Sequence, residues 1–133
     1  MMASVFTRII QGELPGHFVW RDELCVAIMT IQPIRTGHVL VIPKEEIDQW
    51  TDLPVELAQH LMQVSHTISN ALKRVYPTQR VGLMIAGLEV PHTHLHLIPM
   101  DSMDDLNFAF AKNADAESLA QAATAIREAL GQA

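Results

Sequence analysis

Pro91-His92-Thr93-His94-Leu95-His96-Leu97-Ile98-Pro99 carries a histidine at every second position of its first half. Successive side chains of a strand point to opposite faces, so the stretch predicts a strand from His92 to Pro99. His92, His94 and His96 then lie on one side, with Thr93, Leu95 and Leu97 on the other. Residues two apart on a strand are separated by roughly 6.5 to 7 Å, close enough for neighbouring rings to share one small anion or to pass a proton through it. Imidazole can attack phosphorus, act as a general acid or base near neutral pH, or ligate a metal, and a row of rings suits each role. A lone buried histidine is ordinarily a hydrogen-bonded structural residue. Three on one face concentrate titratable groups that a purely apolar core tolerates only at a desolvation cost.

Upstream of this stretch, Val81 to Ala86 is a further strand candidate, joined to it by Gly87-Leu88-Glu89-Val90-Pro91. Before that, Leu57, Leu61, Val64, Ile68, Leu72 and Val75 recur at steps of three and four and predict a long amphipathic helix. Asp52 is its candidate cap, Pro54 suits its first turn and Tyr76-Pro77 ends it. Three β-prone runs come earlier: His17 to Arg21, Cys25 to Met29 and His38 to Pro43. Val39-Leu40-Val41-Ile42 is apolar throughout, which predicts a central strand covered on both faces. Ser4 to Gln11 reads as a short N-terminal helix capped by Ser4, with Gly12 just past its end. A C-terminal helix is expected over about 115–131, capped by Asp115 and stopped by Gly131. The pattern is α+β.

With 133 residues, 49% of them hydrophobic, the chain suits one domain with a sizeable core. No apolar run reaches the roughly 18 to 20 residues of a membrane helix. Met1 to Arg8 lacks the charged-then-apolar order of a secretory signal, so the expected location is the cytoplasm. A net charge of −6 disfavours nucleic acid as a partner. A phosphate-bearing partner would therefore be small and recognised locally. Cys25, the only cysteine, sits in an apolar run and is expected to be a buried hydrophobe. His38, His60 and His66 are expected to have structural or surface roles.

The run from Pro91 to Pro99 resembles the histidine triad (HIT) motif, His-φ-His-φ-His-φ-φ, at residues 92–98, with Thr93 in one apolar slot. The likeness extends to Phe6-Thr7-Arg8-Ile9-Ile10-Gln11-Gly12-Glu13-Leu14-Pro15 and to Gly37-His38-Val39-Leu40-Val41-Ile42-Pro43-Lys44. The resemblance implies a single HIT domain over residues 1–133. Its fold would be a five-stranded antiparallel sheet with a long central helix and short N- and C-terminal helices, commonly paired as a homodimer. It implies a hydrolase or transferase acting at the α-phosphate of a nucleotide conjugate, such as a nucleoside phosphoramidate, with no cofactor. His94 would be the nucleophile. His92 would orient or steady it, and His96 would donate to phosphate oxygens or help protonate the leaving group. His96 in the third position, where the nucleotidylyltransferase branch has Gln, resembles the hydrolase branches.

By the same resemblance, the apolar pocket for a purine base maps to Phe6, Leu14, Ile28 and Ile31. Thr30 stands where Hint-type members usually have the aspartate that contacts ribose, and Glu89 where many have Ser or Thr before the first triad histidine. Zinc-carrying members use two cysteines and a histidine that correspond here to Ser4, Thr7 and Glu46, so no structural zinc is expected. Two rival readings remain open: a noncatalytic nucleotide-binding protein, and a hydrolase that holds a metal on its His-x-His strand.

Overall fold

Val39-Leu40-Val41-Ile42 has no polar face to turn toward water, and the chain solves this by placing it in the middle of a sheet. The computed structural model describes residues 3–131. The first two residues of the N-terminal stretch, and the last two of the predicted domain span, lie outside the described residues. Five strands, β1 (Phe18–Arg21), β2 (Cys25–Met29), β3 (Val39–Pro43), β4 (Arg80–Ile85) and β5 (Leu95–Met100), form an antiparallel sheet in the order β1-β2-β3-β5-β4. Every residue of β2, β3 and β5 is buried.

The helices divide unequally between the two faces of this sheet. α2 (Val55–Val75) presents Leu57, Leu61, Val64, Ile68 and Leu72 to one face, where they meet Ala27, Met29, Val39, Val41, Leu95 and Leu97. α3 (Ala116–Ala129) adds Leu119, Ala123 and Ile126 to the same cluster. Burying each such side chain is worth about 1.5 to 3 kcal/mol, so this layer supplies most of the apolar stabilisation. The opposite face has Val26, Ile28, Leu40 and Ile42, covered by Phe6 from the six-residue α1 (Val5–Ile10). Strand register carries this second face sideways: Ile28 pairs with Leu40, Leu40 with His96, and His96 with Met84. The third histidine of the motif thus faces α1, across the sheet from the long helix. Among the described residues, no helix is long and apolar enough to cross a membrane.

Most strand limits fall within a single residue of the sequence expectation, and two boundaries differ by more. The strand predicted from His92 begins only at Leu95. Its ladder with β3 ends at the Val41–Leu95 pair, and β4 ends at the Ile85–Leu95 pair, so both neighbours run out at the same residue. Thr93 is tied instead to the Ile47 carbonyl, through its amide at 2.7 Å and its hydroxyl at 2.8 Å. The long helix is not capped by Asp52, which lies in a separate 3-10 turn (Trp50–Asp52). Leu53 precedes a proline and is held extended, so the helical conformation starts at Val55 with Pro54 in the cap position. The caps at Ser4 and Asp115 form as expected, accepting from the amides of Thr7 and Ser118.

Gly37 turns the chain into β3 with φ +93°, and a Cβ there would sit 2.5 Å from Tyr76 Cε2. Gly37→Ala combines left-handed strain with a clash against that ring. Urea denaturation should show a loss of about 2 kcal/mol; an unchanged midpoint would mean that the turn relaxes freely.

Candidate active site

His92, His94 and His96 are all buried, at 0%, 2% and 5% exposure. Buried imidazoles must find partners, and those partners determine which ring nitrogen carries the proton. His94 Nδ1 lies 2.7 Å from the His92 carbonyl oxygen, which can only accept. Nδ1 is therefore the protonated nitrogen, and in the neutral ring Nε2 keeps its free electron pair.

The opposite tautomer is imposed on His96 by a relay that begins in the backbone. The Ile34 amide donates to His38 Nδ1 at 3.1 Å, so His38 carries its proton on Nε2. That nitrogen donates to His96 Nδ1 at 2.9 Å, which leaves the proton of His96 on Nε2. His96 Nε2 is buried and, among the described residues, has no hydrogen-bond partner. Burial pushes the His38 ring down to about 3 and the His96 ring down to about 4, with each ring's histidine neighbour adding to the effect, so both are neutral at pH 7. The His94 and His96 ring centroids are 5.0 Å apart. A bare nitrogen and an unsatisfied N–H donor thus stand side by side on one wall.

His92 is held from both ends. Its Nε2 donates to the Pro43 carbonyl at 2.8 Å, and its Nδ1 accepts from the Ser4 hydroxyl at 2.6 Å. Burial lowers its pKa as well. The Thr7 hydroxyl and the Ser4 amide donate to Glu46 Oε1, at 2.6 and 2.8 Å. The Thr7 bond, seconded by Ser4, holds the Glu46 carboxyl below its usual range. Ser4, Thr7 and Glu46, from segments 39 to 88 residues apart, therefore converge on the first histidine. This set does not fit zinc, because two of its members are neutral hydroxyls and the imidazole nitrogen already accepts a hydrogen bond from one of them. The cluster works as a hydrogen-bonded cross-link between α1, the end of β3 and His92.

Aromatic rings close the sides. Phe6 meets His94 edge to face at 4.8 Å and His92 at 5.8 Å, and Phe108 meets His96 at 4.9 Å. Phe108 belongs to a pair of 3-10 turns, Met103–Leu106 and Phe108–Phe110, anchored by Arg35 to Asp105 at 2.6 Å and to Asp101 at 3.3 Å.

The HIT domain model matches residues 11–103, more than half of the chain. The chain belongs to the HIT family. It is 37% identical over 115 residues to an uncharacterized HIT-like protein of Borreliella burgdorferi, covering 81% of this chain and 83% of that one. It is 34% identical over 98 residues to the adenosine 5'-monophosphoramidase of Saccharomyces cerevisiae, covering 73% and 62%. Among solved structures it resembles a hypothetical histidine triad nucleotide-binding protein from Sulfolobus tokodaii, with a TM-score of 0.83 at 29% identity over 95% of this chain and 91% of that one. The expected HIT-like fold is the one observed.

Against this HIT frame, the residues picked from the sequence separate into groups. Phe6 and Ile28 lie together in the apolar layer under the triad. Leu14 is half-buried, in the loop after α1, where its amide bonds the Arg8 carbonyl. Ile31 is 69% exposed. Thr30 uses its hydroxyl to accept from the Gln32 amide and so closes its own turn. Glu89 is exposed, with its carboxylate 4.0 Å from His94 Nε2. The donor atoms of Glu89, His94 and His96 come within 4.8 Å of one another. The relay nevertheless places a proton on the nitrogen that His96 would have to offer a metal.

Of the structural or surface role expected for His38, the structure shows the structural one, with the ring 1% exposed and bonded to His96, a partner the sequence did not name. The burial of this ring had a signal, a Gly-His step leading directly into the wholly apolar β3. Phe108 and its turns were passed over too, although Ser102-x-x-Asp105 forms a capping box that marks the first turn.

Proposed function

We propose that this HIT protein hydrolyses nucleotide conjugates at the α-phosphate, with nucleoside phosphoramidates as the substrate class. The observation that carries the reading is the pair of opposite tautomers on adjacent rings. His94 Nε2 attacks the α-phosphorus, forming a phosphorus–nitrogen bond as the bond to the leaving group breaks, and the leaving group departs with a proton taken from solvent. Water then attacks phosphorus, breaking the bond to His94 and returning a proton to solvent, which releases the nucleoside monophosphate and regenerates the neutral ring. The Nδ1–H bond to the His92 carbonyl spreads the positive charge that develops on His94 during attack. His96 is too weakly basic to be charged at neutral pH, so its role is to donate Nε2–H to a phosphate oxygen rather than to supply a proton. His92, fixed between Pro43 and Ser4, positions the carbonyl that His94 uses.

The purine base would rest on the apolar layer of Phe6 and Ile28, with Leu14 at its edge, and Glu89 would face the leaving group. The phosphoramidase activity named for the yeast relative supports this class of substrate. The working form would be a cytoplasmic homodimer, a single HIT domain per chain. β4 supports the pairing, because it is an outer strand of the sheet with Leu83 40% exposed, and uncovered strand edges invite a second copy.

Mass spectrometry of protein mixed briefly with an adenosine phosphoramidate and quenched without acid tests the reading. An adenylyl adduct on His94 is expected. Binding of AMP in a parallel titration, with neither adduct nor turnover, would favour a noncatalytic nucleotide-binding protein.

A further inference from the structure

Across the sheet from the triad, three unlike donors meet at the turn of the β1–β2 hairpin. Asp22 closes the hairpin turn, and its Oδ1 is pinned by the amides of Leu24 and Cys25, each at 2.8 Å. That leaves Oδ2 facing His60 Nε2 of α2 at 2.7 Å and Cys25 Sγ at 3.6 Å. One ligand atom from each of the three residues lies within 4.8 Å of the other two. Trp20 Nε1 also donates to Oδ2, at 2.8 Å, as an outer partner that would orient a ligating carboxylate. Cys25 packs into the α2-side core, whereas the triad lies on the α1 side, so this cluster shares no residue with the proposed catalytic machinery.

We propose that Asp22, Cys25 and His60 form a binding site for a borderline divalent metal of the zinc class, clipping α2 to the hairpin. Thiolate, imidazole and carboxylate together make a donor set that such ions prefer. Ligands at tetrahedral zinc are spaced about 3.3 to 3.8 Å apart, given bonds of roughly 2.0 to 2.3 Å. The Asp22–Cys25 separation already falls in that range, and the Asp22–His60 pair has only to open by about half an ångström. The side chains of Asp22 and His60 are 25% and 28% exposed, so water can reach the cluster and fill a fourth position.

Metal entry breaks the Cys25 S–H bond and the His60 Nε2–H bond that points at Asp22, forms bonds from the metal to Sγ, Nε2 and Oδ2, releases the thiol proton to solvent and moves the ring proton through solvent from Nε2 to Nδ1. His60 binds as the neutral ring, with its proton on Nδ1. Because the thiol proton must leave for sulfur to bind, affinity should strengthen with rising pH.

Because Cys25 is the chain's only cysteine, a thiolate-to-cobalt charge-transfer band reports this site alone. Titration of the reduced full-length protein with Co2+ should develop that near-ultraviolet band to saturation at one ion per chain, and Zn2+ should abolish it. His60→Ala, on the helix surface, should weaken cobalt binding at least tenfold without changing phosphoramidate turnover, and Cys25→Ser should lose the band. Cobalt binding that develops no thiolate band would overturn the proposal, as would a band whose affinity is the same in His60→Ala.

Discussion

His94→Ala is expected to stay folded and to lose phosphoramidate hydrolysis by roughly 10⁴-fold or more, equivalent to about 5.4 kcal/mol of transition-state stabilisation. The substitution deletes the free pair on Nε2 and also leaves the His92 carbonyl without the Nδ1 donor. Neither loss touches the sheet, because His94 precedes the first paired residue of β5. Steady-state kinetics beside an AMP titration checks the point. The loss should appear in kcat, with AMP affinity within a few-fold of the parent. Retained turnover would show that another group attacks phosphorus.

The second large effect is expected at a residue that need not touch substrate. His38→Leu keeps the volume of the ring but removes the relay, so His96 Nδ1 and the Ile34 amide lose their partners. His96 is then free to take either tautomer, and kcat should fall about 10²-fold, the effect of misdirecting one hydrogen-bond donor to a developing charge. His38→Gln can still accept from Ile34 and donate to His96, and should recover most of that loss. Equal loss in both variants would reduce His38 to a packing residue.

Acid stability gives this prediction an independent readout. His38 and His96 are held neutral in the folded chain, at about 3 and about 4, against 6.5 for a free histidine. Above pH 6.5 neither state takes up a proton at these rings. As pH falls below that value the unfolded chain is protonated and the folded one is not, so stability is lost progressively down to about pH 4 for His96 and about pH 3 for His38, by on the order of 2 kcal/mol per ring at pH 5. Removing one ring in His38→Leu should flatten this decline in the melting temperature. A slope as steep as the parent's would mean that His38 is protonated in the folded state.

Much of this was legible before the structure. β2 ends where the apolar run does, because an unbroken apolar run reports a strand buried on both faces, and α2 follows its three-and-four spacing, because that period reports a helix buried on one. The triad's shared wall also follows from alternation, although two of its histidines lie outside the ladder. What escaped were features that depend on partners distant in sequence. Nothing near His38 says that it will meet a ring 58 residues away. Nothing near Ser4 says that it will meet one 88 residues away. The substitutions at Ser4, Thr7 and Glu46 looked like three separate losses of metal ligands. In the fold they are one replacement, because each group supplies a hydrogen bond that one of the others needs.

The abrupt end of the β5 ladder has a mechanical consequence. A ring that captures phosphorus must advance toward it and then withdraw, and a ring rigidly mounted between two paired strands could do so only by dragging the sheet along. His94 sits one residue beyond the last rung, on a lead-in anchored laterally at Thr93, while His96 is clamped between β3 and β4. Under the proposed mechanism the attacking ring would thus be sprung and the phosphate-holding ring fixed, and recoil during turnover would be absorbed in the three residues before Leu95.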